Sequence, residues 1–412
     1  MLLKIVTVRV LDLVVAGLGA MGSAVLDSAA RRGLNVLGVE RYSPVHARGS
    51  SYGKSRMIRK AYFEDPAYVP LVLRAYELWA ELERRSGRSL LSRTGVLQVG
   101  REDSAVVRGV RQSAREHGLD VQFWDASEIR RRYPMTRPQA DEVAVFEGDG
   151  GVLASELALA TQQELALEDG ARARFGVRVV RWARARDSAG GLEIELSDGD
   201  VLRSRRLALC NGPWLDAEAE AFGVPIAVRR KVQAWFTPSS DVFGAGRFPA
   251  FLVDRAELGE MLYGFPDFGD GVKAAFHTGG AFAPIELIDR TVHAQDIAPL
   301  QAALETWMPG AGNALSSAAV CQYDMTPDAN FVLGLHPRDS AVVVAAGFSG
   351  HGFKFSPVIG EIIVDLAVTG ATRFDIGFLD PKRASSELHV SSELHAAPRS
   401  IVASTLPPEV RH

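Results

Sequence analysis

"LDLVVAGLGAMGSAVLDSAARRGLNVLGVER", residues 11–41, carries the reading that decides the fold of this 412-residue chain. The apolar run 13–16 predicts a buried parallel strand, and glycines stand directly after it at 17, 19 and 22. A helix is expected from there to Gly33, followed by a second strand ending at Glu40. A strand, glycine turn, helix and strand in roughly thirty residues form a βαβ unit. The glycine spacing within it is a dinucleotide fingerprint. Gly17 serves the tight turn, Gly19 the approach of a pyrophosphate, and Gly22 the packing of helix against strand. Glu40 lies 18 residues beyond Gly22, where an acidic side chain can accept ribose hydroxyls. The competing reading is a glycine-rich turn in an unrelated α/β domain.

Further along, "PAYVPLVLRAYELWAELERR" (66–85) puts Leu71, Ala75, Leu78 and Leu82 on one helical face. A second amphipathic helix, "ASELALATQQELALEDG", precedes a strand expected at 177–182, and "RLALCNGPW" follows. That alternation predicts a return to the first domain after 86–150 have formed something else. Strand-like runs such as "VQAWF" and "VKAAFH" mark 226–320 as a second excursion. Residues 341–370, "AVVVAAGFSGHGFKFSPVIGEIIVDLAVTG", predict another strand, turn and helix. Ser356 is expected as N-cap, Pro357 in the first turn, and Gly370 at the C-terminus. Gly347, Gly350 and Gly352 either let backbone N–H groups approach a ligand or simply turn the loop tightly.

Composition narrows the function classes. Lys and Arg total 46 against 50 Asp and Glu, a net charge of −4, which gives no electrostatic case for nucleic acid or an anionic membrane. Two cysteines, Cys210 and Cys321, form neither a disulfide framework nor a CxxC metal site and suit a reducing cytosol. No metal site is expected. Lys4, Arg9 and Asp12 interrupt the opening "MLLKIVTVRVLDLVVAG", which is read as an extended first strand rather than a signal peptide. No apolar run reaches the roughly 18 residues of a membrane span. A cytoplasmic protein is expected. Beyond about 380 the periodicity fails, and the pentamer SSELH repeats at 385–389 and 391–395. This tail, 381–412, is expected to be poorly ordered, with His389 and His395 solvated rather than metal-bound.

Three stretches, and Lys354 inside the glycine loop, can carry chemistry. In "GSSYGKSRMIRKAY" (49–62), Lys54, Arg56, Arg59 and Lys60 surround Met57 and Ile58. Such a cluster is commonly a solvated face. This one leaves the carboxyl end of a nucleotide-domain strand, where ligands of open α/β sheets bind, and arginine grips carboxylates well. In "GVKAAFHTGG" (271–280), strand alternation places Lys273, Ala275 and His277 on one face. The lysine either points half-buried into a pocket or snorkels from an edge. In "CQYDMTPD" (321–328), Cys321 is either a small hydrophobe or a reactive thiol, while Cys210 reads as a plain core residue.

Together with "GLGAMGSA", "YVPLVLRAYELWAELE", "YGFPDFGDGVKAAFH" and "AAGFSGHGFKFSP", these stretches give the chain a family resemblance. It resembles the monomeric sarcosine oxidase and N-methyltryptophan oxidase family, among the D-amino-acid-oxidase-like flavoproteins, over about residues 13–380. The resemblance implies an α/β fold, α+β overall. Its Rossmann-like FAD-binding domain would be discontinuous, from 1–85, 151–225 and 321–380, with a mainly antiparallel-sheet substrate domain from 86–150 and 226–320. It implies FAD, bonded through its 8α-methyl to Cys321. Lys273 matches the lysine beside the flavin that activates dioxygen. Arg59 and Lys354 match the pair that grips the substrate carboxylate, Arg56 a flavin-proximal arginine, and Tyr263 and His277 pocket residues. The implied cofactor set comprises Gly17, Gly19, Ala20, Met21, Gly22, Glu40, Arg41, Gly49, Ser50 and Arg56. It continues with Val179, Gly212, Cys321, Gly350, Gly352, Phe353 and Lys354. The chain departs from close relatives at Tyr52, in "GSSYG", where they carry histidine, and by one residue missing between Phe268 and Lys273. Both departures alter the lining of the substrate pocket.

The activity implied is oxidation of the C–N bond of an N-methyl or other secondary amino acid to an imine, with O2 reduced to H2O2, by a monomeric enzyme. The alternatives are a cyclic imino acid such as pipecolate or proline, a glycated amino acid, or a dehydrogenase passing electrons to a partner. A non-catalytic flavin-binding subunit is disfavoured by the pair Arg59 and Lys354.

Overall fold

The computed structural model describes residues 10–186, 190–215 and 222–383. The tail from 384 on, with His389 and His395, lies outside the described residues, as do residues 1–9. Leu11–Ala16 lies inside an eight-stranded sheet, parallel to Val36–Glu40 on one side and to Val201–Leu209 on the other. Arg172–Phe175 extends the sheet beyond Val36–Glu40, and Asp339–Ala346 pairs in parallel with Val201–Leu209. Antiparallel strands Val179–Arg184, Leu192–Leu196 and Val332–His336 complete it. Both faces of the central strand are buried, which is why 13–16 is continuously apolar.

Helix Ala20–Arg31 packs against helices Ser155–Glu168 and Ser356–Thr369, and Val69–Ser86 packs on the last of these. A Cβ added at Gly360 would lie 2.5 Å from the Ala24 carbonyl oxygen, so glycine sets how closely the first and last helices approach. Leu71, Ala75, Leu78 and Leu82 are all buried, as their spacing predicts.

The second eight-stranded sheet runs Ala314–Met325, Ala227–Thr237, Val272–Phe276, Leu262–Phe265, Ala250–Asp254, Val96–Arg101, Glu142–Glu147, Gln122–Asp125. Neighbours are antiparallel except Ala250–Asp254 on Val96–Arg101. Helix Ala294–Trp307 adds Ile297, Leu300, Leu304 and Trp307 to its core. A small third sheet joins Ser55–Ile58, Gly151–Ala154 and Leu91–Ser92. The boundary expected at 321 falls inside the strand Ala314–Met325, whose Cys321 faces Lys231 across the second sheet.

Two local expectations are corrected. The strand expected at 177–182 spans Val179–Arg184, and Arg172–Phe175 before it was not foreseen, because "RARF" carries too little apolar character to register. Ser356 is not the N-cap. It is the first residue of a helix that continues directly from the turn Phe353–Phe355, and its hydroxyl is buried without a partner among the described residues. Gly370 closes that helix at φ 77°, as expected. Among the described residues no helix is long and apolar enough to cross a membrane.

Candidate active site

A cavity of about 360 Å³ runs from the glycine turn after Ala16 to the inner face of the second sheet. Gly17, Gly19, Ala20, Met21, Glu40 and Arg41 line one end, with Val179 and Gly212 beside them. Gly49, Ser50, Arg56 and Cys321 line its middle wall. Arg59, Tyr263, His277 and Lys354, with Gly350, Gly352 and Phe353, complete it. Three expected residues are not on the wall: Gly22, Tyr52 and Lys273. A Cβ at Gly22 would meet the Gly17 carbonyl oxygen at 1.7 Å, so this glycine serves helix packing alone.

The glycine-turn end is built from backbone. Gly17 holds φ 85°, and a Cβ there would sit 2.6 Å from the Cys210 carbonyl oxygen. At Gly19 the nearest atom to an added Cβ is Ser51 Oγ at 3.7 Å, so the approach is open. Gly19 offers helix Ala20–Arg31 no N-cap side chain, and the first N–H of the helix, that of Ala20, donates instead to Ser51 Oγ at 3.2 Å beside the open approach at Gly19. Glu40 is buried, yet its carboxylate accepts from the Leu18 N–H at 2.8 Å and the Tyr42 N–H at 2.9 Å, with His46 Nε2 at 3.2 Å. Burial alone would raise its pKa. The His46 ring and the two N–H groups outweigh that and hold the acid below its ordinary value.

Elsewhere on the wall two buried cations stand close to one ring. Arg59 Nη2 donates to both Glu64 carboxylate oxygens at 2.7 Å, and Nη1 to the Ala61 carbonyl at 3.0 Å. Its Cζ stands 4.5 Å from the Tyr62 ring centroid, and Lys354 Nζ stands 5.0 Å from that same centroid. Lys354 Nζ donates to the His351 carbonyl at 2.7 Å. Burial, with Arg59 close by, pushes the Lys354 amine down to about 7 against the opposing pull of Glu64. Burial works to raise the Glu64 pKa, but Arg59, His351 and Lys354 together carry it down to about 2. His351 Nε2 lies 2.9 Å from the Ala329 carbonyl and must donate there, so Nδ1 accepts from the Tyr62 hydroxyl. Burial lowers His277 to about 3 and His351 to about 4, leaving both imidazoles neutral. The Tyr263 and Tyr323 hydroxyls meet at 3.3 Å.

Lys273 differs from the half-buried, pocket-facing side chain that alternation allowed. It is 2 % exposed, and Nζ donates to the carbonyls of Gly53 at 2.5 Å and Ser55 at 3.0 Å. Burial and the nearby Arg56 cation push its pKa well below the ordinary lysine value. Tyr52 contributes its carbonyl, which accepts from Arg56 and Gln233. Cys321 is buried with Sγ 3.7 Å from the Ser50 carbonyl oxygen, whereas burial alone pushes the Cys210 thiol up to about 12. Sequence reasoning missed Tyr62, Glu64, Tyr323 and His351. The signal available for three of them was their place inside the quoted motifs; Glu64 lies just past one.

The sequence profile of the family described as "FAD dependent oxidoreductase" matches residues 12–366, most of the chain. This protein belongs to that family. The monomeric sarcosine oxidase of Streptomyces avermitilis is 42% identical over 91% of this chain and 98% of its own. That of Bacillus sp. is 37% identical over 90% and 96%, and the N-methyl-L-tryptophan oxidase of Salmonella enteritidis 38% over 89% and 96%. The chain is therefore a member of the sarcosine oxidase and N-methyltryptophan oxidase group within the FAD-dependent oxidoreductases. Among solved structures, the open form of NikD, an unusual amino acid oxidase, matches at TM-score 0.78 and 24% identity, covering 90% of this chain and 97% of its own. L-proline dehydrogenase from P. horikoshii matches at 0.79 and 21%, covering 91% and 97%. Both show the shared fold.

FAD fits the cavity on independent grounds. Ser50 Oγ, Trp214 Nε1 and Gln322 Oε1 are buried at its wall without a partner among the described residues. Such atoms call for a ligand that both donates and accepts along its length. The helix N-terminus at Gly19, with its open approach, and the ionised Glu40 suit a pyrophosphate and a ribose in turn.

Proposed function

We propose that this FAD-dependent oxidoreductase oxidises the C–N bond of an N-methyl or other secondary amino acid to an imine. The amine gives up two electrons and two protons, and O2 takes them to become H2O2. The observation that carries this reading is the pair of buried cations, Arg59 and Lys354, standing 4.5 and 5.0 Å from the same Tyr62 ring centroid at the wall of the FAD cavity. Two fixed cations orient an amino-acid carboxylate and so place its α-carbon. Arg59 also pairs with Glu64, a carboxylate held by the same cation that would receive the substrate's. The same cations disfavour a protonated substrate amine, which must be neutral to lose hydride. His277 and Tyr263 supply neutral walls beside it.

FAD, when bound, supplies the two-electron acceptor. Gly17, Gly19, Ala20, Met21, Glu40 and Arg41 would hold its nucleotide half, with Val179 and Gly212 flanking. Gly49, Ser50, Arg56, Gly350, Gly352 and Phe353 would hold the flavin half, and Cys321 would be its covalent anchor. Lys273 would offer a fixed ammonium to the negative charge that develops as dioxygen is reduced. The FAD domain is inferred to comprise 1–85, 151–225 and 321–380, with 86–150 and 226–320 roofing the substrate. The protein is inferred to act as a cytoplasmic monomer.

The test is anaerobic mixing with N-alkyl, cyclic and primary amino acids. N-alkyl amino acids should bleach the flavin absorbance, and in air one H2O2 should appear per amine oxidised. If no N-alkyl or cyclic amino acid bleaches it, the reading fails.

A further inference from the structure

Side-chain donors from three distant parts of the chain, and one close by, converge on the carbonyls of a single loop, residues 50–55. Arg56 donates to Ser55 and Ser50 at 2.8 Å and to Tyr52 at 2.6 Å. Gln233 reaches Tyr52 at 3.0 Å, Lys273 reaches Gly53 and Ser55, and the Cys321 thiol points at Ser50. The shape of this loop therefore sets where three of the groups named above can stand.

That shape is not one the loop adopts cheaply. Gly53 has φ 122° and Lys54 φ 65°, and the second is a left-handed conformation that a side chain opposes. A Cβ at Gly53 would lie 2.3 Å from the Gln233 amide, so a side chain there would push that amide off the Tyr52 carbonyl. The turn is held from outside the cavity by Glu156, the second residue of helix Ser155–Glu168. Its carboxylate accepts the Gly53 N–H at 2.7 Å and the Lys54 N–H at 2.8 Å. The Ser155 hydroxyl also donates to it at 2.6 Å, while the Ser155 N–H donates to the Lys54 carbonyl at 3.0 Å. Burial opposes its charge, but the hydroxyl and the two amides outweigh burial and keep Glu156 ionised. The first turn of a helix is the favoured place for such a charge.

We propose that Glu156 is a positioning residue: it clamps the Gly53–Lys54 turn, and through it aims the carbonyls that fix Lys273, Arg56 and the Cys321 thiol. The kinetic part of this inference rests on the function proposed above; the structural part does not.

The test uses Glu156→Gln in the full holoenzyme, read in two ways. Amide hydrogen exchange should speed up at Gly53 and Lys54 by roughly tenfold or more, the loss expected when a charged acceptor is removed, and only in that segment. Stopped-flow reoxidation by O2 should slow by about the same factor, with the affinity of a carboxylate inhibitor at Arg59 and Lys354 unchanged. Adding Lys54→Gly, which relieves the left-handed residue, should restore reoxidation. This double variant also keeps the test open where the single one fails to fold. Exchange that is unchanged at 53 and 54, or raised across the whole chain, overturns the clamp. So does normal reoxidation in Glu156→Gln alongside slow reoxidation in Lys273→Met. Local exchange that rises while Lys273→Met reoxidises normally keeps the clamp and removes the oxygen role of Lys273.

Discussion

Lys354 shows how burial gives one residue a property that its side chain alone does not carry. Buried beside Arg59, its amine titrates near 7 rather than at the ordinary lysine value. An anionic ligand favours the charged amine, so on the function proposed above the site is ready for a carboxylate below about 7. Above it the amine must first take up a proton. The dissociation constant of a non-reactive carboxylate inhibitor should therefore rise as pH increases through 7. Lys354→Met should weaken binding and abolish that dependence, leaving what Arg59 supplies. The same pH profile in the variant would assign the titration to another group. Arg59→Ala should weaken the inhibitor by a charge-assisted hydrogen bond, roughly 1.5–3 kcal/mol. Unchanged affinity in both variants would place the carboxylate elsewhere. Cys321 makes the complementary case. Acid precipitation of the wild-type protein should leave the yellow colour in the pellet, with one FAD on the peptide containing Cys321 and none on that containing Cys210. Cys321→Ser should still bind FAD reversibly, because Gly17, Gly19 and Glu40 form a separate grip. Colour released wholly into the supernatant by wild type would refute the anchor.

At the scale of elements, the sequence was most readable where one strand or helix satisfies itself. The first βαβ unit was legible because both faces of Leu11–Ala16 are buried and Gly17, Gly19 and Gly22 each answer a local steric demand. Arg172–Phe175 was not, because its strand character comes from pairing with Val36–Glu40, more than a hundred residues away. The environment of Lys273 was illegible for the same reason: its acceptors lie 220 and 218 residues upstream. The N-terminus of the last helix was misread because a preceding turn of 3₁₀ helix displaces the cap that Ser356 suggested. Close packing between elements gives a test of its own. Gly360→Ala would put a methyl 2.5 Å from the Ala24 carbonyl oxygen. Because the obstacle is backbone, the helices must shift, and about 1–3 kcal/mol of stability should be lost. A denaturation midpoint equal to wild type would show that the two helices are not held at this distance.

For the whole molecule, the cavity is the feature that joins the two large sheets. Gly17 and Glu40 come from the ends of strands in the first, whereas Tyr263 and Cys321 lie on strands of the second. The chain passes between the sheets repeatedly, so neither corresponds to one continuous stretch that could be cut out. A ligand bound in that cavity touches both and should stabilise both together. Cys321→Ser, stripped of FAD and titrated with it, makes the coupling measurable without covalent attachment. Its melting temperature should rise with FAD concentration as a single transition. Amides of Leu11–Ala16 and of Val272–Phe276 should gain protection at the same FAD concentration. Two separate transitions, with only the first sheet responding to FAD, would mean that the nucleotide grip and the substrate roof fold as independent units. In that case the alignment of Arg59 and Lys354 with the flavin would have to be made on binding rather than built into the fold.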